Sequence, residues 1–189
     1  MFTPWIELGV LHLLPVACQC TIIGLLFSDD YTLMFEPSKK FVDAWCFSRF
    51  DPQDLLAPGS AHPIELDGQR WPSAEHYYQA NKFTGKYAQT VAQAADASEA
   101  HRLGNRWFKR KRSDFKKLRM VLMTRALYTK AQMYPELREA LLASNDQLIA
   151  EMSQYDYFWG IGRDQRGHNQ LGKIWMDIRA KLKQDLDRE

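Results

Sequence analysis

The segment Ile64-Glu65-Leu66-Asp67-Gly68-Gln69-Arg70-Trp71-Pro72-Ser73 leaves the backbone few choices. Asp-Gly between two short β-prone runs marks a two-residue hairpin turn whose central residues both take positive φ. Pro72 cannot donate to a strand ladder, and Ser73 is a favoured N-cap whose hydroxyl accepts an N–H of the first helical turn. A hairpin is therefore followed at once by the start of a helix.

The flanking patterns extend this unit. Tyr31–Phe35 is β-prone, and Phe41–Phe50 alternates aromatics with small residues, which predicts a second short strand. Asp51-Pro52, Pro58-Gly59 and Pro63 mark turns. Helical patterns follow at Ser73–Phe83, Thr90–Leu103, Asp114–Gln132, Pro135–Leu142 and Leu171–Leu186, with a further short helix expected to open at Asn145-Asp146. The fold class is α+β: a mostly helical single domain with a few short strands towards the N-terminal part. A chain of 189 residues suits one such domain, and 46% hydrophobic with 25% charged residues excludes a disordered or fibrous protein.

Residues 1–30 differ from the rest. Leu8 to Ser28 carries no formal charge and is long enough to span a bilayer. His12, Pro15, Gln19 and Thr21 interrupt it, however, and Glu7 and Asp29-Asp30 flank it where an anchor or signal peptide would show Lys or Arg. The expectation is an apolar extension packed on a domain spanning 31–189, with no membrane partner. Cys18, Cys20 and Cys46 are too few and too unevenly spaced for a disulfide scaffold, so they fit reduced thiols in a cytoplasmic protein. Cys18-x-Cys20 lacks the two further ligands a tetrahedral metal site needs.

On the helix beginning at Ser73, 100° steps put Glu75, Tyr78, Gln79 and Lys82 on one stripe and His76, Ala80 and Phe83 on the next. The first row suits a polar cleft and the second the core. The helix N-terminus favours an ionised Glu75, hence a base or electrostatic stabiliser rather than a proton donor. The plainer reading is a dipole-compensating acid in a first turn, with the polar stripe facing water.

The residues themselves go further than their spacing. Trp71-Pro72-Ser73-x-Glu75-His76 with Gln79-Ala80-x-Lys82-Phe83 resembles the signature of the NADAR family, related to N-glycosidases that act on early riboflavin-pathway intermediates. Further matching pieces occur in the same order: Phe47-Ser48-x-Phe50, Gly104, Met123 with Arg125-Ala126-Leu127, Pro135-Glu136-Leu137-Arg138, Asp156 with Trp159-Gly160, and Gly167-x-Asn169-x-Leu171-Gly172. The resemblance covers about residues 31 to 183. It implies a NADAR-like fold and a hydrolase that splits the bond between ribose C1′ and a base nitrogen. The substrate would be ADP-ribosylated guanine in nucleic acid or nucleotides, or a ribosylamino-pyrimidine phosphate. Glu75 would be the main catalytic carboxylate and Asp156 a second acid. Phe47, Ser48, Arg49, Tyr78, Gln79, Lys82, Phe115, Trp159, Gly160 and Asn169 would bind substrate, with no metal or organic cofactor. From capping preference alone, Asn169 is better explained as the start of the last helix than as a ligand group. A non-catalytic ADP-ribose or nucleotide-binding module is the alternative from another class.

Four positions depart from the family pattern. Arg49 stands where Asn is frequent, Phe115 where Trp is usual, and Asn105 and Gln170 where Arg is common. They bear on the substrate more than on the reaction.

The formal net charge of +2 conceals a local excess. From Arg102 to Arg119 there are nine basic residues against the single acid Asp114, interleaved with Trp107, Phe108 and Phe115. This mixture fits a weak nucleic-acid contact, recognition of ligand phosphates, or a solvated helix face with apolar stems.

Overall fold

The computed structural model describes residues 39–188. The expected extension at 1–30, the strand expected at Tyr31–Phe35, and Cys18 and Cys20 lie outside the described residues. After a 3-10 turn at Lys39–Phe41 come β1 (Trp45–Phe47), β2 (Ile64–Leu66), β3 (Gln69–Trp71), α1 (Ala74–Ala80), α2 (Gly85–Ala92) and α3 (Ala97–Gly104). They are followed by α4 (Phe115–Met133), α5 (Pro135–Ala143), β4 (Ile149–Glu151) and α6 (Gln170–Leu186). The result is the expected mostly helical α+β architecture.

The hairpin is as the sequence predicts. Ile64 pairs with Trp71 and Leu66 with Gln69, and both Asp67 (φ 56°) and Gly68 (φ 72°) take positive φ. The turn is also anchored. The Tyr77 hydroxyl donates to Asp67 at 2.9 Å and Arg125 of α4 donates to it at 2.6 Å. The Arg125 of the family pattern thus ties α4 to the turn.

Three local expectations are corrected. The strand expected over Phe41–Phe50 shrinks to Trp45–Phe47, because its parallel partner β4 offers only Ile149–Glu151. That partner follows the point where a short helix was expected at Asn145. Asn145 is instead left-handed (φ 51°), and Arg179 of α6 holds Gln147 O and Ser144 Oγ, drawing the chain out of helical geometry. The helix expected over Thr90–Leu103 breaks in two. Asp96 accepts the Glu99 N–H at 2.7 Å while the Glu99 carboxylate accepts the Ala95 N–H at 2.9 Å, a reciprocal cap that starts α3 afresh.

α1 lies at the centre, packed on α2, α3 and α4, and all seven of its residues are buried. The plainer reading of a polar stripe facing water therefore fails: Glu75 and Gln79 have no exposure at all. Ser73 caps α1 as expected, accepting the His76 N–H, and Pro58 O accepts the Glu75 N–H at 2.9 Å. His76 bonds Ser73 Oγ through Nδ1 and Ala94 O through Nε2. A carbonyl only accepts, so Nε2 carries the proton and Nδ1 accepts from the serine. His76 is thereby a brace between α1 and the α2–α3 connection. At the far side Trp175 of α6 donates to Leu56 O at 2.9 Å, pinning the turn-rich segment before the hairpin.

Candidate active site

Glu75 projects from the first turn of α1 into a cluster that the sequence scatters over a hundred residues. Arg49, immediately after β1, is 2% exposed and sets its Nη2 and Nε on the Glu75 carboxylate at 3.1–3.4 Å. Its Nη1 reaches Asp156 Oδ2 at 3.2 Å. Gln79, one turn along α1, donates to Glu75 Oε1 at 2.6 Å, and His101 Nδ1 of α3 stands 3.2 Å from the same oxygen. Burial alone would raise the pKa of Glu75. The Arg49 charge, aided by the bonds from His101 and Gln79, outweighs it and brings Glu75 down to about 2. The ionised state expected from the helix dipole is present, but its physical cause is chiefly Arg49.

A polar relay runs from Glu75 to Lys82. Lys82 Nζ donates to Asn105 Oδ1 at 2.9 Å, and Asn105 Nδ2 donates to His101 Nε2 at 3.0 Å. With Nε2 accepting, the His101 proton belongs on Nδ1, where it meets Glu75. Lys82 is 5% exposed, and burial, reinforced by the nearby Lys111 charge, lowers it to about 7. Its ammonium is therefore poised to change charge around neutral pH, and an arriving anion would favour the charged form.

Asp156 sits at the open side, its side chain 31% exposed. Its Oδ1 accepts the N–H groups of Phe158 and Trp159 at 3.0 and 2.8 Å, fixing the turn, while Oδ2 faces Arg49. One guanidinium thus bridges a fully buried carboxylate and a half-exposed one. Aromatic rings form the adjoining wall: Trp159 meets Tyr78 edge-on at 5.4 Å, and Phe115 lies 5.6 Å from Tyr78. The Arg119 guanidinium stacks 3.6 Å from the Phe158 ring.

The structure gathers Arg49, Glu75, Tyr78, Gln79, Lys82, Phe115, Asp156 and Trp159 of the expected residues. It uses others differently. Phe47 is buried in the core and Ser48 is exposed. Asn169 is left-handed (φ 49°), and its side chain bridges β4, accepting the Glu151 N–H and donating to Ile149 O. It stands at the N-cap of α6 but makes no side-chain cap bond. Gly160 gives β4 room, since a Cβ there would come within 2.2 Å of Glu151 Oε2.

His101, Asn105 and Glu151 are site neighbours absent from the sequence-derived set. Glu151 is fully buried, accepts the Arg49 N–H and the Ser153 hydroxyl, and is pushed up in pKa by burial. A lone Glu in a three-residue strand carries no local signal. Only the parallel pairing Phe47↔Glu151 brings it beside Arg49. Asn105 was visible as a departure from the family pattern, yet its link to Lys82 required the fold.

Comparisons with known proteins bear on this site. The NADAR domain family model matches residues 35–183. The N-glycosidase YbiA of Escherichia coli is 35% identical over 137 residues, covering 72% of this chain and 86% of that protein. An N-glycosidase of Nostoc punctiforme is 34% identical over 142 residues, covering 73% and 85%. A riboflavin biosynthesis protein of Vibrio vulnificus is 38% identical over 122 residues, which are 64% of this chain and 33% of that one. In three dimensions the chain resembles the NMR structure of E. coli YbiA with a TM-score of 0.69 at 29% identity, covering 78% of this chain and 89% of that one.

Proposed function

The chain belongs to the NADAR domain family, and on that premise we propose that it hydrolyses the N-glycosidic bond between a ribose and a base, with ADP-ribosylated guanine in nucleic acid or nucleotides as substrate. The observation that carries the proposal is Glu75: a carboxylate with no exposure, kept ionised, sharing a guanidinium with a second carboxylate at the solvent side.

The chemistry asks for such a group. As the C1′–N bond breaks, the base leaves with its electron pair and the sugar gains oxocarbenium character. A fixed anion in a dry site stabilises that charge most effectively. Glu75 takes this role. Asp156, half-exposed, removes a proton from the water whose oxygen bonds to C1′. The two carboxylates divide the work because their surroundings differ.

Arg49 needs an account here, because a cation on Glu75 opposes the stabilisation of another. The ligand brings phosphates, and a phosphate competes for the guanidinium in the same bidentate manner as a carboxylate. Arg49 thus offsets the Glu75 charge in the empty site and hands over to substrate phosphate as Glu75 turns to the sugar. Lys82, with Arg119 beside Phe158, supplies further phosphate contacts, and Tyr78, Phe115 and Trp159 face the base.

A second reading, hydrolysis of ribosylamino-pyrimidine phosphates, is favoured by the likeness to a protein named for riboflavin biosynthesis. Offering the purified protein both substrates and following base release separates the two. Release from the guanine conjugate alone supports the first reading, release from the pyrimidine alone transfers the assignment to the second, and release from neither removes the reaction class. Binding of ADP-ribose without turnover would identify a binding module instead.

A further inference from the structure

The nucleic-acid contact expected through Arg102 to Arg119 does not say which side chains would meet bases and which phosphates. Between α3 and α4 the chain runs outside helix from Asn105 to Asp114 and forms a lobe beside the site. Trp107 is 92% exposed at its tip, whereas Trp71, Trp159 and Trp175 are buried. Phe108, 58% exposed, meets Trp107 edge-on at 5.7 Å. Cations flank the Phe108 ring. Arg106 lies 5.9 Å from the Phe108 ring, and Lys109 lies 5.5 Å from Phe108 and 4.5 Å from Tyr87. Arg112 is engaged by Asp114, but among the described residues neither Arg110 nor Lys111 has an ion-pair partner, and both are exposed.

The lobe is continuous with the site. The Arg112 N–H donates to Lys82 O at 2.8 Å, and Phe115, which follows the lobe, packs against Tyr78. A polymer lying on the lobe would lead towards Lys82 and Glu75.

We propose that residues 105–112 form a docking surface for single-stranded nucleic acid, with Trp107 and Phe108 stacking on bases and Lys109, Arg110 and Lys111 meeting phosphates. This rests on the nucleic-acid form of the reading above. Two exposed rings have nothing to stack on in an intact duplex, whose bases are already stacked, whereas a single strand offers both phosphates and free base faces. Glu75 is fully buried, so a target nucleotide must also leave any duplex stack to reach it.

Unmodified oligothymidylate of about 12 nucleotides, within the usual range of single-strand site sizes, tests this apart from catalysis. The expected result is quenching of Trp107 fluorescence on titration, absent in Trp107→Phe, and affinity about tenfold weaker in Trp107→Ala, the scale of one lost base stack. The dependence of log affinity on log salt should flatten by roughly 0.7 for each of Lys109→Gln and Arg110→Gln, one phosphate apiece. These variants should hydrolyse a modified mononucleotide as the wild type does. Equal affinity for duplex of the same length, tighter binding to anionic phosphatidylserine vesicles than to the oligonucleotide, or an unchanged salt slope would overturn the proposal. Failure to turn over the mononucleotide in the wild type would overturn the enzymatic reading and leave the docking result standing.

Discussion

Two buried charges, Lys130 and Glu75, illustrate how a structural charge differs from a chemical one. Lys130 on α4 is 1% exposed and donates to Leu55 O, Ala57 O and Ser60 Oγ. Its hydrogen-bond partners are neutral, and burial outweighs the nearby Asp54 and Glu136 charges and lowers it to about 7. Such a group is a tie that fastens α4 to the segment before the hairpin. Glu75 is equally buried, but its partners include an arginine shared with a half-exposed aspartate and a histidine that relays to Lys82. Burial loses there, and the charge is kept within reach of a path to solvent. The neighbours' ionisability and their route outwards set Glu75, the candidate catalytic group, apart from Lys130, a rivet.

The contrast is open to attack at several points. Glu75→Gln keeps the shape and the Gln79 neighbourhood but removes the anion. Turnover should fall about a thousandfold, the scale of losing one preorganised electrostatic stabiliser, as measured by base release at saturating substrate. Stability carried by the Glu75 charge is present above its unfolded value near 4.5 and is lost as pH falls through about 2. The wild type should therefore lose more stability in that window than Glu75→Gln does, by denaturation at stepped pH.

Arg49→Gln strips both carboxylates of their cation. Desolvation then acts on Glu75 unopposed by its main partner, so its pKa should climb from about 2 to above 4.5. The acid limb of the pH profile of kcat/KM should therefore lie at higher pH in the variant than in the wild type.

Lys130→Met should do the opposite of a site variant. Orphaning carbonyl and hydroxyl acceptors should cost about 2 kcal/mol of stability, with kcat unchanged at a temperature where the protein stays folded. Because Lys130 binds a proton more readily unfolded than folded between pH 7 and 10, wild-type stability should rise with pH there. That rise should shrink in the variant.

The smallest effect is expected at Lys82. Above about pH 7 its ammonium loses its proton in the empty site, so KM for a phosphorylated substrate should rise with pH. Lys82→Met should raise KM about tenfold at pH 6, the scale of one charge-assisted contact, and flatten that dependence.

Much of this was legible in the sequence where local rules decide. The Asp67-Gly68 turn, the Ser73 cap and the Glu75 motif all depend on neighbours a few residues away. The misses are long-range. Glu151 reaches the site through a parallel pairing across 102 residues from Arg49, and β4 itself replaced an expected helix because α6 pulls on Gln147. The polar stripe of α1 reads as one that lines a polar cleft, and spacing alone does not reveal that Arg49 covers it. Arg49 was visible as a departure from the family pattern, and the fold turned that departure into the principal electrostatic partner of Glu75.

The most direct test of the account is kcat per folded molecule for Glu75→Gln and Lys130→Met, measured side by side with folding monitored in the same samples. Glu75→Gln should lose about a thousandfold, as for a missing electrostatic stabiliser, and Lys130→Met should stay within about twofold of wild type. Turnover by folded Glu75→Gln at the wild-type rate would contradict that role.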